Sequence, residues 1–155
     1  MNLFAYGTLM APEGLREALG DRADVLTRRP ARLPGWRRIW NVFSPEWHGG
    51  VLNAEPFVGA TIVGILVEGL TEDDFARLDA QEPTHLPRER VYVEPIGGEV
   101  VHAEIYRRRK GNHSGRVSGR YKAVVLERAY RAGWEVYESI CRGSVDPMGH
   151  PLTFD

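Results

Sequence analysis

The chain has 155 residues, of which 43% are hydrophobic and 26% are charged, and this composition is typical of a soluble globular protein. It excludes a disordered chain, a collagen-like chain and a coiled coil. The 20 basic and 21 acidic side chains give a formal net charge of −1, so no general attraction to nucleic acid or to an acidic membrane is expected. The single cysteine, Cys141, excludes an internal disulfide and a cysteine-based zinc site.

The apolar segments predict a soluble cytoplasmic protein. The N-terminus has neither the basic region nor the long apolar region of a signal peptide. The longest mostly apolar run, 60–67, is too short to cross a bilayer. We therefore expect one domain over residues 1–155, with residues 143–155 as a C-terminal tail packed over its body.

The first half of the chain predicts several strands and one helix. Leu3 to Tyr6 is a buried strand followed by a turn at Gly7 and Thr8. A helix is expected from Pro12 to Gly20, because a proline suits the first helical turn. The segment 32–42 is expected to be a strand region that breaks at Pro34 and Gly35.

The middle of the chain predicts a turn, two strands and a capped helix. Gly49 and Gly50 form the turn, the segment 51–54 is a short strand, and 60–70 is a central strand rich in β-branched residues. The helix runs from Thr71 to Glu82. Its cap is Thr71 with Asp74 three residues later, and Pro83 ends it.

The last part of the chain predicts a hairpin and one long helix. The alternating runs 90–94 and 100–106 flank a glycine pair, which makes a hairpin. A polar loop over 107–119 precedes a single helix over 120–142 with one apolar face. Strands and helices that do not strictly alternate indicate an α+β protein with a mixed barrel-like or open sheet.

Glu82 is a candidate acid/base residue. It lies about 20° around the helix axis from Phe75, on the face expected to be buried, and burial should raise the pKa of its carboxyl group. Two alternatives stay open: a carboxylate that points to water at the end of the helix, or an ion pair with Arg88 or Arg90. Asp79 shares the face, and it either pairs with Glu82 in acid/base work or bonds an arginine or a backbone amide.

The turn after the first strand is a candidate anion site. Tyr6, Gly7, Thr8 and Leu9 follow an apolar strand, and such a turn exposes several backbone N–H groups, which bind carboxylates. The alternative is an ordinary turn.

The remaining polar residues predict no metal site and no nucleophile. None of the five histidines has metal-ligand helical spacing, and Cys141 is expected to pack against the core. The basic run from Arg107 to Lys110 is expected to be a solvated loop, with recognition of an anionic substrate or of RNA phosphates as the alternatives.

Six short motifs, in order, resemble those of the γ-glutamylcyclotransferase-like family. They are Phe4–Leu9, Leu33–Trp36, Val63–Leu66, Leu78–Glu82, Arg88–Val93 and Ser118–Tyr121. The resemblance implies a small closed β-barrel with flanking helices and a reaction that needs no cofactor. Thr8 stands where the family has serine, Pro83 stands where it usually has glycine after the glutamate, and Leu86 stands where many members have tyrosine.

The reaction that the resemblance implies is release of 5-oxoproline from a γ-glutamyl amide, amino acid or peptide. The α-amine attacks the side-chain amide carbonyl, with Glu82 as general acid and base. Tyr6, Gly7, Thr8, Leu9 and Tyr121 then bind the substrate, and no metal, nucleic acid or membrane takes part. The leaving group, the oxyanion donors and the oligomeric state stay open, and the alternative function is non-catalytic binding of a small acidic metabolite. The alternative for Tyr121 is a core aromatic ring with its hydroxyl at the surface.

Overall fold

The structure, a computed structural model, describes residues 1–81 and 86–154. These residues form five strands: β1 Asn2–Ala5, β2 Thr27–Ser44, β3 Gly49–Glu68, β4 Arg88–Pro95 and β5 Val101–Tyr106. Four α-helices accompany them: α1 Pro12–Leu19, α2 Glu72–Gln81, α3 Gly119–Ala132 and α4 Trp134–Gly143. Short 3₁₀ helices lie at Thr8–Met10 and Gly20–Val25.

The strands close into a barrel in the order β1-β3-β2-β4-β5. Neighbouring strands are antiparallel, except that β1 pairs with β5 in parallel. Closure gives each strand two neighbours, and it places the end of β1 between β3 and β5. The predicted mixed α+β barrel is confirmed.

Strands β2 and β3 are much longer than the sequence predicts. The expected break at Pro34 is a change of register: Pro34 pairs with Thr61, and Trp36 pairs with Pro56. The extra residues of β3, 57–60, lie between these two pairs, and 56–59 are exposed to solvent. Gly35 (φ 80°) and Gly59 (φ 91°) adopt positive φ values there, so the strands bend and continue instead of ending. The turn between the two strands is 45–48, before the predicted glycine pair.

The single helix predicted over 120–142 is wrong, because the segment forms α3 and α4. Gly133 separates them, with φ 135° and ψ 160°, a conformation that is essentially restricted to glycine. Its N–H closes α3 by donating to the carbonyl oxygens of Ala129 and Tyr130. The three- and four-residue spacing places Gly133 on the apolar face of one helix, although glycine also favours a helix end.

The predicted helix cap and hairpin are confirmed. Thr71 N–H donates to Asp74 Oδ2 over 2.9 Å, and Asp74 N–H donates to Thr71 Oγ1 over 3.1 Å, as in a capping box. Strands β4 and β5 pair in register across a turn in which Gly97 has a φ of 79°. The predicted end of α2 at Glu82 and Pro83 lies outside the described residues.

The C-terminal segment packs against β2. Trp40 N–H donates to Val145 O, and Val145 N–H donates to Arg38 O. Leu152 N–H then donates to Ser144 O, which folds the segment back on itself. In the part of the chain that the structure describes, every helix is too short or too polar to cross a membrane.

Candidate functional site

A cavity of about 90 Å³ lies where β1 ends. Five of the six predicted site residues line it: Tyr6, Gly7, Thr8, Leu9 and Tyr121. Trp47, Leu52, Leu86 and Tyr106 complete much of the apolar wall. Residues that are far apart in the sequence therefore meet at one place, because the barrel brings β1, β3 and β5 together next to α3.

The turn at Tyr6–Leu9 uses its carbonyl groups for structure. Tyr6 O accepts from Arg38 Nε over 2.9 Å, Gly7 O accepts from Met10 N–H over 3.0 Å, and Thr8 O accepts from Arg128 Nη1 over 2.9 Å. The N–H groups of Gly7, Thr8 and Leu9 have no acceptor among the described residues. Three consecutive amide donors beside a cavity can bind an anion such as a carboxylate.

Tyr121 is held by the start of α3. Ser118, the N-cap, accepts from Tyr121 N–H over 3.2 Å and donates its hydroxyl to Trp47 O over 2.6 Å. The Tyr121 ring is 6% exposed and meets Trp40 and Trp47 edge-on, with ring centroids 5.6 and 5.3 Å away. Its hydroxyl lies against Gly7, only 3.0 Å from where a Cβ would stand. The hydroxyl therefore faces the turn, and the alternative of a surface hydroxyl is wrong.

Asp79 binds an arginine and a tyrosine. Its Oδ1 atom accepts a 2.6 Å hydrogen bond from the Tyr106 hydroxyl and lies 2.9 Å from Arg88 Nε. Arg88 in turn lies over the Phe75 ring, 4.6 Å from its centroid. Tyr6 donates its hydroxyl to Tyr106 O over 2.6 Å, so the network reaches the cavity wall. The arginine alternative for Asp79 is confirmed.

A second cavity of about 280 Å³ adjoins the first. Thr8, Leu9 and Trp47 line both cavities. The wall of the second cavity also contains Gln81, Glu17, Glu46 and Arg128. This larger, more polar space offers room for a group attached to whatever occupies the first cavity.

Glu82 lies outside the described residues. Its burial and the raised pKa of its carboxyl group therefore stay predictions. The described residues on either side of 82–85 are informative: Gln81 lines the second cavity, and Leu86 lines the first.

The basic run is only partly solvated. Arg107 is 6% exposed, donates to Glu89 Oε2 over 2.6 Å and lies over the Trp36 ring, and this guanidinium lowers the pKa of Glu89. Arg109 is exposed, as expected. The expectation of a solvated loop is therefore wrong for Arg107. A nearby carboxylate and an indole ring offset the free-energy cost of burying its charge.

Cys141 is half-buried, and the described residues hold no cluster of three metal-ligating side chains.

The sequence patterns did not single out Arg38 and Arg128, the two arginines that bond the main chain of the turn. For Arg128 a signal was available, because it follows Tyr121 by seven residues on the same helix and so shares its face. Arg38 has the two-residue spacing of Trp36 and Trp40 along β2 and so shares their face, but this spacing alone does not reveal that an arginine is buried.

The sequence and the fold are similar to those of known proteins. A family model described as "Gamma-glutamyl cyclotransferase, AIG2-like" matches residues 3–123. No curated protein matches the sequence. A solved structure named gamma-glutamyl cyclotransferase has a TM-score of 0.76 at 18% identity, over 89% of this chain and 83% of that chain.

Two further solved structures share the fold. An uncharacterized protein from Homo sapiens has a TM-score of 0.75 at 19% identity, over 89% of this chain and 83% of that chain. A yeast γ-glutamyl cyclotransferase, described as specific to glutathione, has a TM-score of 0.52 at 12% identity, over 97% of this chain and 81% of that chain. At these identities the structural likeness shows the fold alone.

Proposed function

The chain belongs to the γ-glutamyl cyclotransferase, AIG2-like family, and from this premise we propose that it releases 5-oxoproline from a γ-glutamyl amide, amino acid or peptide. One observation carries the proposal: three consecutive amide donors face no acceptor among the described residues, beside Tyr121 in a small cavity. The substrate is a small molecule, no cofactor is needed, and the reaction belongs to γ-glutamyl metabolism in the cytoplasm.

The substrate's α-carboxylate binds to the N–H groups of Gly7, Thr8 and Leu9. Each such bond to a charged group contributes about 1.5–3 kcal/mol. The side walls formed by Tyr6 and Tyr121 enclose the glutamyl chain, and the Tyr121 hydroxyl bonds to it. The first cavity thus takes the glutamyl group, and the second takes the leaving group.

The reaction is intramolecular. The α-amine forms a C–N bond to the γ-carbonyl carbon, the original amide C–N bond breaks, and a five-membered lactam and a free amine result. Because nucleophile and electrophile belong to one molecule, holding them in the reactive conformation supplies much of the rate enhancement. The chain's task is then to hold the substrate and to move protons from the attacking nitrogen to the leaving nitrogen.

Glu82 is the residue that moves the protons. The attacking nitrogen loses two protons as it changes from an α-ammonium group to the lactam N–H, and the Glu82 carboxylate accepts each in turn and passes it to the leaving nitrogen, which departs as an ammonium, so one group acts as base and then as acid. Support comes from the Leu78–Glu82 motif and from Gln81, the residue bonded to Glu82, which lines the second cavity.

The test is 5-oxoproline release from γ-glutamyl amino acids, glutathione and γ-glutamyl amines. We expect the wild type to act on at least one of them and Glu82→Gln to lose about 10²–10⁴-fold in turnover. Glu72→Gln, the same change at an exposed position of α2, is the matched control and should retain full turnover. Full activity of Glu82→Gln would overturn the role of Glu82. Binding of these compounds without product would instead favour the non-catalytic alternative.

A further inference from the structure

Two guanidinium groups from different layers of the fold hold the Tyr6–Leu9 turn. Arg38 comes from β2 in the barrel and bonds Tyr6 O, whereas Arg128 comes from α3 and bonds Thr8 O. The barrel and the helical layer thus meet at this turn. Each provides one guanidinium group that donates a hydrogen bond to a main-chain carbonyl of the turn.

These contacts fix the direction of the amide donors. In a planar trans peptide, the C=O of one residue and the N–H of the next point in opposite directions. The bond from Arg38 to Tyr6 O therefore aims the Gly7 N–H away from Arg38. In the same way, the bond from Arg128 to Thr8 O aims the Leu9 N–H away from Arg128.

Arg38 is the more unusual of the two. Its side chain is 1% exposed, and it donates to Tyr6 O, to Val63 O over 2.8 Å and to Ser139 Oγ over 2.9 Å. None of these acceptors is charged, and Arg38 forms no ion pair with a carboxylate of the described residues. Burial lowers the pKa of Arg38 to about 9, so the guanidinium stays protonated at neutral pH.

A buried charge without a counter-charge is costly, and an anionic ligand at the turn would supply that counter-charge. Arg128 differs, because Glu13 lies 3.8 Å from its Nε atom. We infer that Arg38 and Arg128 are positioning residues that aim the amides of Gly7 and Leu9 at the substrate carboxylate, and that Arg38 also supplies the positive potential that selects for an anion. This inference rests on the proposed function for the identity of that carboxylate.

The test separates the carboxylate from the rest of the ligand. Calorimetry gives the dissociation constants of 5-oxoproline and of its neutral carboxamide for wild type, Arg38→Lys, Arg38→Met and Arg128→Met. Matched controls are Arg37→Met, beside Arg38 in β2, and Arg131→Met, one turn after Arg128 in α3. Those two arginines pair with Glu55 and with Glu13 and Glu127 instead of the turn.

We expect wild type and both controls to prefer the acid over the carboxamide. Arg128→Met should weaken acid binding by about tenfold and leave carboxamide binding unchanged, since a charge-assisted contact of this size is lost. Arg38→Met should lose more of the preference for the acid than Arg128→Met does. Arg38→Lys should retain part of that preference, because the positive charge remains. In kinetics the Michaelis constant should rise while kcat stays nearly constant, because the carboxylate is bound equally in ground state and transition state.

An equal loss of affinity for acid and carboxamide would overturn the inference, since it would indicate a merely structural role. A wild type without any preference for the acid would overturn it as well, whatever its turnover. If Arg38→Met does not fold, the dissociation constants of acid and carboxamide for Arg38→Lys and Arg128→Met still test the inference. A wild type that prefers the acid but releases no 5-oxoproline would refute the proposed function and leave this inference standing.

Discussion

The Tyr106 hydroxyl donates a 2.6 Å hydrogen bond to Asp79, a carboxylate that precedes Glu82 by three residues. Arg88 lies 2.9 Å from the same oxygen atom. The Asp79 carboxylate thus already has a phenol and a guanidinium as partners. Its role is to tie the last turn of α2 to β4 and β5.

Asp79→Asn should therefore retain activity. We expect turnover within about tenfold of wild type, whereas general acid/base loss costs about 10²–10⁴-fold. The free energy of unfolding should fall by about 1 kcal/mol, because the bonds to Tyr106 and Arg88 lose their charge assistance. Rate measurements on Asp79→Asn and Glu82→Gln with one substrate check this. An equal loss in both variants would mean that Asp79 shares in proton transfer.

Gly7→Ala should impair binding at the turn. The new Cβ would stand 3.0 Å from the Tyr121 hydroxyl, so the tyrosine or the turn must move by a few tenths of an ångström. We expect the Michaelis constant to rise by about tenfold. Gly119→Ala is the control, because its Cβ would meet no heavy atom within 4 Å. If both variants bind substrate like wild type, the contact between Gly7 and Tyr121 does not shape the site.

Tyr121→Phe tests the hydroxyl alone. The ring keeps its edge contacts with Trp40 and Trp47, so the melting temperature should change little. Substrate affinity should fall by about threefold to tenfold, as expected for one neutral hydrogen bond. Tyr130→Phe removes a hydroxyl from an exposed position of the same helix and should change neither quantity. An unchanged affinity in Tyr121→Phe would leave the ring as the only contribution of this residue.

Gly133→Ala should destabilise the helical layer. Its φ of 135° and ψ of 160° suit only glycine, and we expect a loss of about 1–3 kcal/mol in the free energy of unfolding. Gly143→Ala lies at the end of α4 with no heavy atom within 4 Å of its Cβ and should be neutral. Urea unfolding followed by circular dichroism measures both. An equal stability of the two variants would show that α3 and α4 can join without strain.

Stability in acid should depend on the Asp74–Arg22 pair. The guanidinium of Arg22 holds the pKa of Asp74 down to about 2, with help from Thr71. A carboxyl group with a depressed folded-state pKa stabilises the protein above its unfolded-state pKa, and this contribution is lost as the pH falls through the folded-state value.

Arg22→Met should therefore be less stable than wild type at neutral pH, and the difference should shrink between about pH 4 and about pH 2. Urea unfolding over this range measures it. Arg16→Met removes an exposed pair with Asp24 and should cost little at any pH. A constant difference between Arg22→Met and wild type across the range would exclude this linkage.

Local signals in the sequence were sufficient for much of the fold. The Thr71–Asp74 cap and the hairpin turn depend on residues a few positions apart, so their patterns are visible in the chain itself. The lengths of β2 and β3 are not visible in the sequence, because prolines such as Pro34 and Pro56 normally end strands. The long antiparallel pairing of β2 with β3 holds the two strands together across the bulge.

The candidate site, like the fold, could be predicted from the sequence only in part. Tyr6 to Leu9 and Tyr121 form short motifs, and the structure brings them to one cavity. Arg38 was not predictable as part of it, since an isolated arginine in a strand normally reaches solvent. Its burial depends on carbonyl groups of Tyr6 and Val63, which no short sequence window contains.

A turn that presents main-chain donors has an evolutionary consequence. Every residue except proline carries the same N–H group, so replacement of the side chains at Thr8 and Leu9 leaves two of the three donors in place. Selection on this turn should therefore act on the small size of Gly7 and on the two distant guanidinium groups. Divergent members of such a fold can then keep their anion-binding capacity while the turn's own sequence drifts.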